Sequence, residues 1–220
     1  MSTEEVILLD YWISPFAMRA KIALAEKGVE FKAQEENFPE SKSDLLLKSN
    51  PVYKKVPVLL HNGKAVNESS IIVNYIDDTW PTPALFPPCA FGKAQARFWA
   101  DYIDKKVFEE CRKIWTGKGD EVEAAKKVLI ETLKTLEGAL GEKTYFGGDT
   151  FGFVDVILIP FTSFFLACEK YGGFKVEEEA PKITAWMKKC LEKESVSKFY
   201  NEPTKVAEFI SARRKRQGLE

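Results

Sequence analysis

The 220-residue chain carries 32 basic and 33 acidic side chains, a net charge of −1, and 45% of its residues are hydrophobic, enough to supply a buried core. Near-neutrality removes the global field that draws a protein to nucleic acid or an acidic membrane, so neither is expected as a partner and a charged ligand must be held by local groups. With one histidine, His61, and four dispersed cysteines lacking a C-x-x-C pair, neither a metal site, a Ser-His-Asp triad nor a disulfide framework is expected, and free thiols point to a reducing, cytoplasmic compartment.

In chain order, residues 1–5 are polar and acidic, and the longest apolar run, over 154–166, is interrupted by Asp155, Pro160, Thr162 and Ser163, so no leader or membrane span is expected. Residues 6–9 read as a short buried strand ahead of a turn-rich stretch ending at Pro15. Ser14 before Pro15 is a helix-start pair, since serine caps orphan amides and proline fits the first turn. Gly28 supplies the stop, and Phe16, Ala20, Ala23 and Leu24 share one face. Val29, Phe31 and Ala33 alternate with polar residues as a second strand, giving a right-handed βαβ unit with a parallel pair.

A short helical segment over 45–48 precedes residues 56–60, which face residues 64–66 across the hairpin dipeptide Asn62-Gly63. Glu68-Ser69-Ser70 opens a further helix that carries Ile72, Tyr75 and Ile76 at helical spacing. This βαβ-ββα order predicts a thioredoxin-like α/β domain over 1–80, closed by the proline-rich linker 81–91. Helical periods over 94–115, 121–140, 154–171 and 183–191 predict an all-α domain over 92–220, whose basic Arg213-Arg214-Lys215-Arg216 reads as a solvated helix end.

Tyr11-Trp12-Ile13-Ser14-Pro15-Phe16-Ala17-Met18-Arg19 with Ile22-Ala23-Leu24-Ala25-Glu26-Lys27-Gly28 resembles the first helix region of plant tau-class glutathione transferases. Asn50-Pro51-Val52-Tyr53-Lys54-Lys55-Val56-Pro57-Val58-Leu59 and Asn67-Glu68-Ser69 are similar to that family's glutathione-binding segment. Arg97-Phe98-Trp99-Ala100-Asp101-Tyr102-Ile103-Asp104-Lys105-Lys106 and the pair Phe146-Gly147-Gly148-Asp149 and Gly152-Phe153-Val154-Asp155 extend the likeness through the helical domain. Ile13 and Ala17 depart from the pattern where proline and glycine are common.

The resemblance implies a glutathione transferase fold, a homodimer, and conjugation of the glutathione thiolate to hydrophobic electrophiles, with glutathione as co-substrate, no other cofactor and no metal. It also admits glutathione-dependent reduction of organic hydroperoxides. A free thiol with a pKa of about 8.5 is only about 3% thiolate at pH 7, and lowering that value by about two units takes roughly 2.7 kcal/mol. One charge-assisted hydrogen bond at a helix N-terminus is of that order. The resemblance assigns the donor to the Ser14 hydroxyl, which by position alone is a helix cap. It likewise implies Ser69 for the γ-glutamyl carboxylate, Glu68 for the ammonium, Lys42 and Lys55 for the glycyl carboxylate, and the Val56 backbone for the cysteinyl unit, with Val56-Pro57 cis. Phe16, Phe108, Arg112, Trp115 and Phe164 are the expected electrophile pocket, although each reads as core by periodicity. Asp155 is assigned to capping.

Three other readings share the scaffold. A non-catalytic carrier of hydrophobic ligands needs no activated thiolate, and a thiol oxidoreductase needs a cysteine where this chain has Ser14. An interaction module has no use for Ser14, Glu68 and Ser69 together.

Overall fold

In a computed structural model that describes residues 5–37 and 41–219, the chain divides into two units, Met1–Leu85 and Phe86–Glu220. The first unit contains a four-stranded mixed sheet of order β2-β1-β3-β4, with β1 at Val6–Asp10, β2 at Lys32–Glu35, β3 at Val58–His61 and β4 at Lys64–Asn67. β1 runs parallel to β2, Leu8 facing Ala33, and antiparallel to β3, Leu8 facing Leu59. Flanked on both sides, β1 and β3 supply the fully buried Leu8, Leu9, Val58 and Leu59. The β3-β4 hairpin turns on Asn62 and Gly63, both at positive φ as a type I′ turn requires.

Helix α1 (Pro15–Glu26) has Pro15 in its first turn and Ser14 as its cap. The expected face is buried at Ala20, Ala23 and Leu24, but Ala17, Met18, Arg19 and Ile22 are buried too, so α1 is enclosed on most of its circumference. Its end corrects the second strand. The Gly28 amide bonds the Ala25 carbonyl and the Val29 amide bonds the Leu24 carbonyl, each at 3.0 Å, with Gly28 at φ +64°. That is a Schellman closure, which consumes Val29 as a cap. The strand therefore starts at Lys32 rather than at the expected Val29, and as an edge it is mostly exposed. Helix α2 (Asp44–Ser49) leads to β3, and α3 (Ser69–Thr79) packs on α1 and buries Ile72, Val73 and Ile76. At the far end of α1 the Lys27 ammonium pairs with Asp77 of α3 at 2.5 Å, and the same carboxylate oxygen accepts from the Leu85 amide at 2.7 Å.

The second unit is helical. Its elements are α4 (Ala90–Lys106), α5 (Phe108–Thr116), α6 (Asp120–Leu140), α7 (Phe153–Thr162), α8 (Phe165–Gly172), α9 (Val176–Glu179), α10 (Pro181–Leu191), α11 (Glu194–Ser197) and α12 (Pro203–Arg216). Two expected helices are each divided. The 94–115 period breaks at Val107, whose amide still bonds Ile103 and whose carbonyl still accepts from Cys111, so the junction of α4 and α5 is a kink and not a loop. The 154–171 period breaks after Thr162, where the Thr162 and Ser163 hydroxyls donate back to the Ile159 and Pro160 carbonyls and the Phe164 amide bonds Phe161 in a tighter turn. The basic cluster at 213–216 is also corrected. Arg213, Lys215 and Arg216 are exposed, but Arg214 is buried.

Asp155 sits in the first turn of α7, completely buried. One carboxylate oxygen accepts from the Gly152 amide at 2.9 Å; the other accepts from the Phe146 amide at 3.0 Å and from the Trp186 indole at 2.7 Å. This joins the 146–152 loop, α7 and α10 at one group. Burial pushes the carboxyl up to about 6, against the three donors that pull it down. A folded-state value above the unfolded one means that the native state holds the proton more tightly, so this group's contribution to stability falls as pH rises from about 4 to 6. Asp155→Ala strands three donors and is expected to cost at least about 3 kcal/mol in urea unfolding. In Asp155→Asn the pH-dependent part is expected to vanish, and the difference between parent and variant should change across that window and be flat above it.

Candidate active site

A cavity of about 340 Å³ opens in the first unit. It gathers five of the expected residues, Phe16, Lys55, Val56, Glu68 and Ser69, together with Asn50, Tyr53 and Pro57. Ser14 and Lys42 are not among its lining residues. Ser14 lies two positions before Phe16 at the start of α1, and Lys42 is exposed just before α2.

Ser14 is half-buried, with extended backbone, and its Oγ accepts from the Ala17 amide at 3.2 Å. That bond uses an oxygen lone pair and leaves the hydroxyl proton available for a second partner. Five residues along α1, Arg19 is fully buried. Its Nη1 donates to Ser69 Oγ at 3.0 Å, and its guanidinium lies over the Phe16 ring, 5.2 Å from the centroid. Arg19 thus fixes two cavity-lining side chains on two different helices.

Glu68 precedes α3 with φ +70° and ψ 121°, a region that costs a non-glycine residue on the order of 1–3 kcal/mol. Its side chain makes no cap to the helix it precedes. The first-turn amides of α3, beside the buried Ser69, therefore keep their pull on an anion, and the Glu68 carboxylate is left to the cavity.

On the opposite side, Asn50 organises the segment that carries Lys55 and Val56. Its amide donates to the Lys55 carbonyl at 3.0 Å, its side-chain oxygen accepts from the Tyr53 amide at 3.1 Å, and its carbonyl accepts from the Lys54 amide at 2.9 Å. Lys54 takes φ +54° within this turn, and the Val56-Pro57 peptide is cis. The Val56 amide and carbonyl have no backbone partner among the described residues. The cavity thus offers both signs of charge, Lys55 and Glu68, around buried hydroxyl and amide donors. A zwitterionic peptide with separate carboxylates and an ammonium matches that set.

Asn50 and Arg19 carry no role in the sequence reading, although both fall within the segments that show the family likeness. Asparagine ahead of a proline in a turn is a legible signal for Asn50. Nothing local marks an arginine on a mostly apolar helix as the buried partner of Ser69, fifty residues away.

In the second unit Phe108, Arg112 and Trp115 share a face of α5. Phe108 is half-buried, Trp115 is buried and Arg112 is exposed and paired with Glu109 at 2.9 Å. Trp115 stacks on Phe164 with ring centroids 5.3 Å apart, and Phe108 meets both edge-on while stacking on Phe161.

Family models described as the N-terminal and C-terminal domains of glutathione S-transferase match residues 4–78 and 119–189. The chain is 53% identical to the probable glutathione S-transferase parC of Nicotiana tabacum over 100% of both chains. It is 56% identical to glutathione S-transferase U19 of Arabidopsis thaliana over 96% of this chain and 97% of that one. Among solved structures, rice GST1 in complex with glutathione superposes with a TM-score of 0.94 at 46% identity, covering 98% and 99% of the two chains. The tau-class enzyme of mango superposes with a TM-score of 0.89 at 38% identity, covering 94% and 98%.

The role of Arg19 is open to measurement. Arg19→Ala removes a fully buried side chain and strips Ser69 of its donor, and is expected to lower unfolding free energy by about 3 kcal/mol in a urea titration.

Proposed function

The chain belongs to the glutathione S-transferase family, in its plant tau class, and from that premise we propose that Ser14 activates the glutathione it conjugates. The capped hydroxyl at the start of α1 carries this reading, since it accepts from the Ala17 amide and retains a proton to donate to the sulfur. The serine stabilises the thiolate and attacks nothing itself, so no partner base is required and glutathione is a co-substrate beside which no cofactor is proposed. The helix dipole adds to the same effect.

The proposed binding mode follows from the chemistry of the cavity. Ser69 and the first-turn amides of α3 take the γ-glutamyl carboxylate, Glu68 takes the ammonium, the Val56 backbone adds to the cysteinyl unit as a strand would, and Lys55 takes the glycyl carboxylate. Lys42 is proposed as a second, peripheral contact to that carboxylate. The thiolate then displaces halide from an activated aromatic ring, or attacks an organic hydroperoxide, breaking the O–O bond to release the alcohol and leave a glutathione sulfenic acid that a second glutathione converts to the disulfide and water, with Phe108, Arg112, Trp115 and Phe164 as the proposed acceptor face and Phe16 as the aromatic wall of the glutathione cavity.

A homodimer is part of the proposal. The first unit exposes Val52 at 78% and Tyr53 at 59%, and the second exposes Phe91 at 74% and Phe98 at 57%, large apolar side chains suited to packing the first unit of one copy on the second unit of another. A cytoplasmic setting is proposed from the free cysteines and the balanced charge. Among the described residues no helix is long and apolar enough to cross a membrane.

Calorimetry is expected to give glutathione binding in the micromolar to millimolar range, and no binding at millimolar ligand would refute the cavity assignment. Ser14→Ala should cost about 1 kcal/mol of stability for the lost cap. It should keep most of the glutathione affinity, lower turnover of an activated aryl halide at least about tenfold, and raise the pH at which the bound thiolate's ultraviolet absorbance appears. Unchanged turnover and thiolate titration would leave Ser14 as a cap only. Light scattering should report a dimer, shifted toward monomer in Val52→Asp with Phe98→Glu.

A further inference from the structure

Arg214 is buried at 9% exposure while its basic neighbours on α12 are solvated, and the proposed conjugation assigns it no part. Its Nη1 donates to the Trp115 carbonyl at 2.5 Å, its Nη2 donates to the Leu219 carbonyl at 3.3 Å, and its guanidinium stands 4.2 Å from the centroid of the Tyr171 ring on α8. Trp115 is the penultimate residue of α5, so its carbonyl is one of the four that the helix end leaves without an intrahelical amide. A cation there completes the hydrogen bonding and opposes the negative end of the helix dipole. The Tyr171 face offsets part of the cost of burying the charge.

The same residue carries the indole that stacks on Phe164 at 5.3 Å and 26° and meets Phe108 at 5.9 Å and 71°. Because α5 spans only Phe108–Thr116, a shift at its C-terminal turn moves Trp115 against both rings. We propose that Arg214 is a positioning residue for the electrophile: by holding the Trp115 carbonyl it fixes the angle of the indole against Phe108 and Phe164, and so tunes the α5 face for flat aromatic acceptors. The inference rests on the reading of that face as the acceptor pocket.

Steady-state kinetics with glutathione and chlorodinitrobenzene test it on the full-length protein. Arg214→Met keeps the apolar stem and loses the donors, and is expected to raise the KM for the halide at least about fivefold while the KM for glutathione stays within about twofold. Arg214→Lys, which returns a cation to the carbonyl, should recover most of the difference. In protein labelled with fluorotryptophan, the Trp115 resonance, assigned by its loss in Trp115→Phe, should move or broaden in Arg214→Met and return in Arg214→Lys. A fall in kcat with both KM values and the Trp115 resonance unchanged would mark Arg214 as structural only and overturn the proposal. Trp115→Leu separates the two layers of the argument. If Trp115→Leu raises the halide KM and Arg214→Met does not, the pocket stands and the positioning role is refuted. If Trp115→Leu leaves the halide KM unchanged, the α5 face is not the pocket and the proposal falls with it. Should Arg214→Met fail to fold, Arg214→Leu, which likewise keeps an apolar stem and loses the donors, is read in the same way.

Discussion

The first unit's site depends on a single buried cation. Arg19 has no exposed surface, yet it reaches from the middle of α1 to the hydroxyl of Ser69 at the start of α3 and lies over the ring of Phe16. A charge in that position is tolerated only where hydrogen bonds and a polarisable ring replace its hydration. Once it is satisfied, the N-terminal turns of the two helices are fixed relative to each other, and those turns supply Ser14, Phe16, Glu68 and Ser69. The Lys27–Asp77 pair fixes the other ends of the same two helices. A charged hydrogen bond near one end and an ion pair at the other leave α1 and α3 little freedom to slide, which fixes the start of α1 where Ser14 caps it.

Around that frame the chain leaves polar groups unspent. Glu68 occupies a strained backbone position and makes no cap to α3, and Asn50 uses its amide, its side-chain oxygen and its carbonyl on a turn beside Val56, whose amide and carbonyl have no backbone partner among the described residues. Each feature costs stability in isolation. Together they border a cavity of about 340 Å³, within the range of about 300–1,000 Å³ found for small-molecule sites. Strained backbone of the kind found at Glu68 clusters at ligand sites, which is in keeping with the proposed role of this residue.

Much of the architecture is legible in local signals. Ser14-Pro15, Gly28 and Asn62-Gly63 each act through the conformation of one or two residues, and the structure places a cap, a Schellman stop and a type I′ turn at them. What the sequence conceals comes from competition between such signals. Val29 has the pattern of a strand residue but is claimed by the helix stop before it, and the long period over 154–171 hides hydroxyls at Thr162 and Ser163 that turn back on the helix. Arg214 is harder still, because four consecutive basic residues look solvated, and the carbonyl of Trp115, ninety-nine positions away, and the Tyr171 ring are what set one of them apart. Arg19 is hidden for the same reason: its partner is fifty positions distant. Long-range satisfaction of a buried charge has no local signature.

Ser14 as helix cap and Ser14 as thiolate donor are not alternatives in physical terms. A hydroxyl has two lone pairs and one proton, and the Ala17 amide at 3.2 Å engages only the oxygen. Accepting that bond polarises the O–H group and makes it a better donor, the cooperative effect expected of linked hydrogen bonds in a region of low dielectric. It also holds the oxygen in one side-chain rotamer, so only the O–H bond has to turn when a sulfur arrives. The helix that Ser14 starts adds its positive end to the same point in space. In the proposed mechanism the cap therefore preorganises the donor. A residue that capped without a proton to give, such as aspartate, would satisfy Ala17 equally well but would place a negative charge beside the thiolate and raise its pKa instead of lowering it.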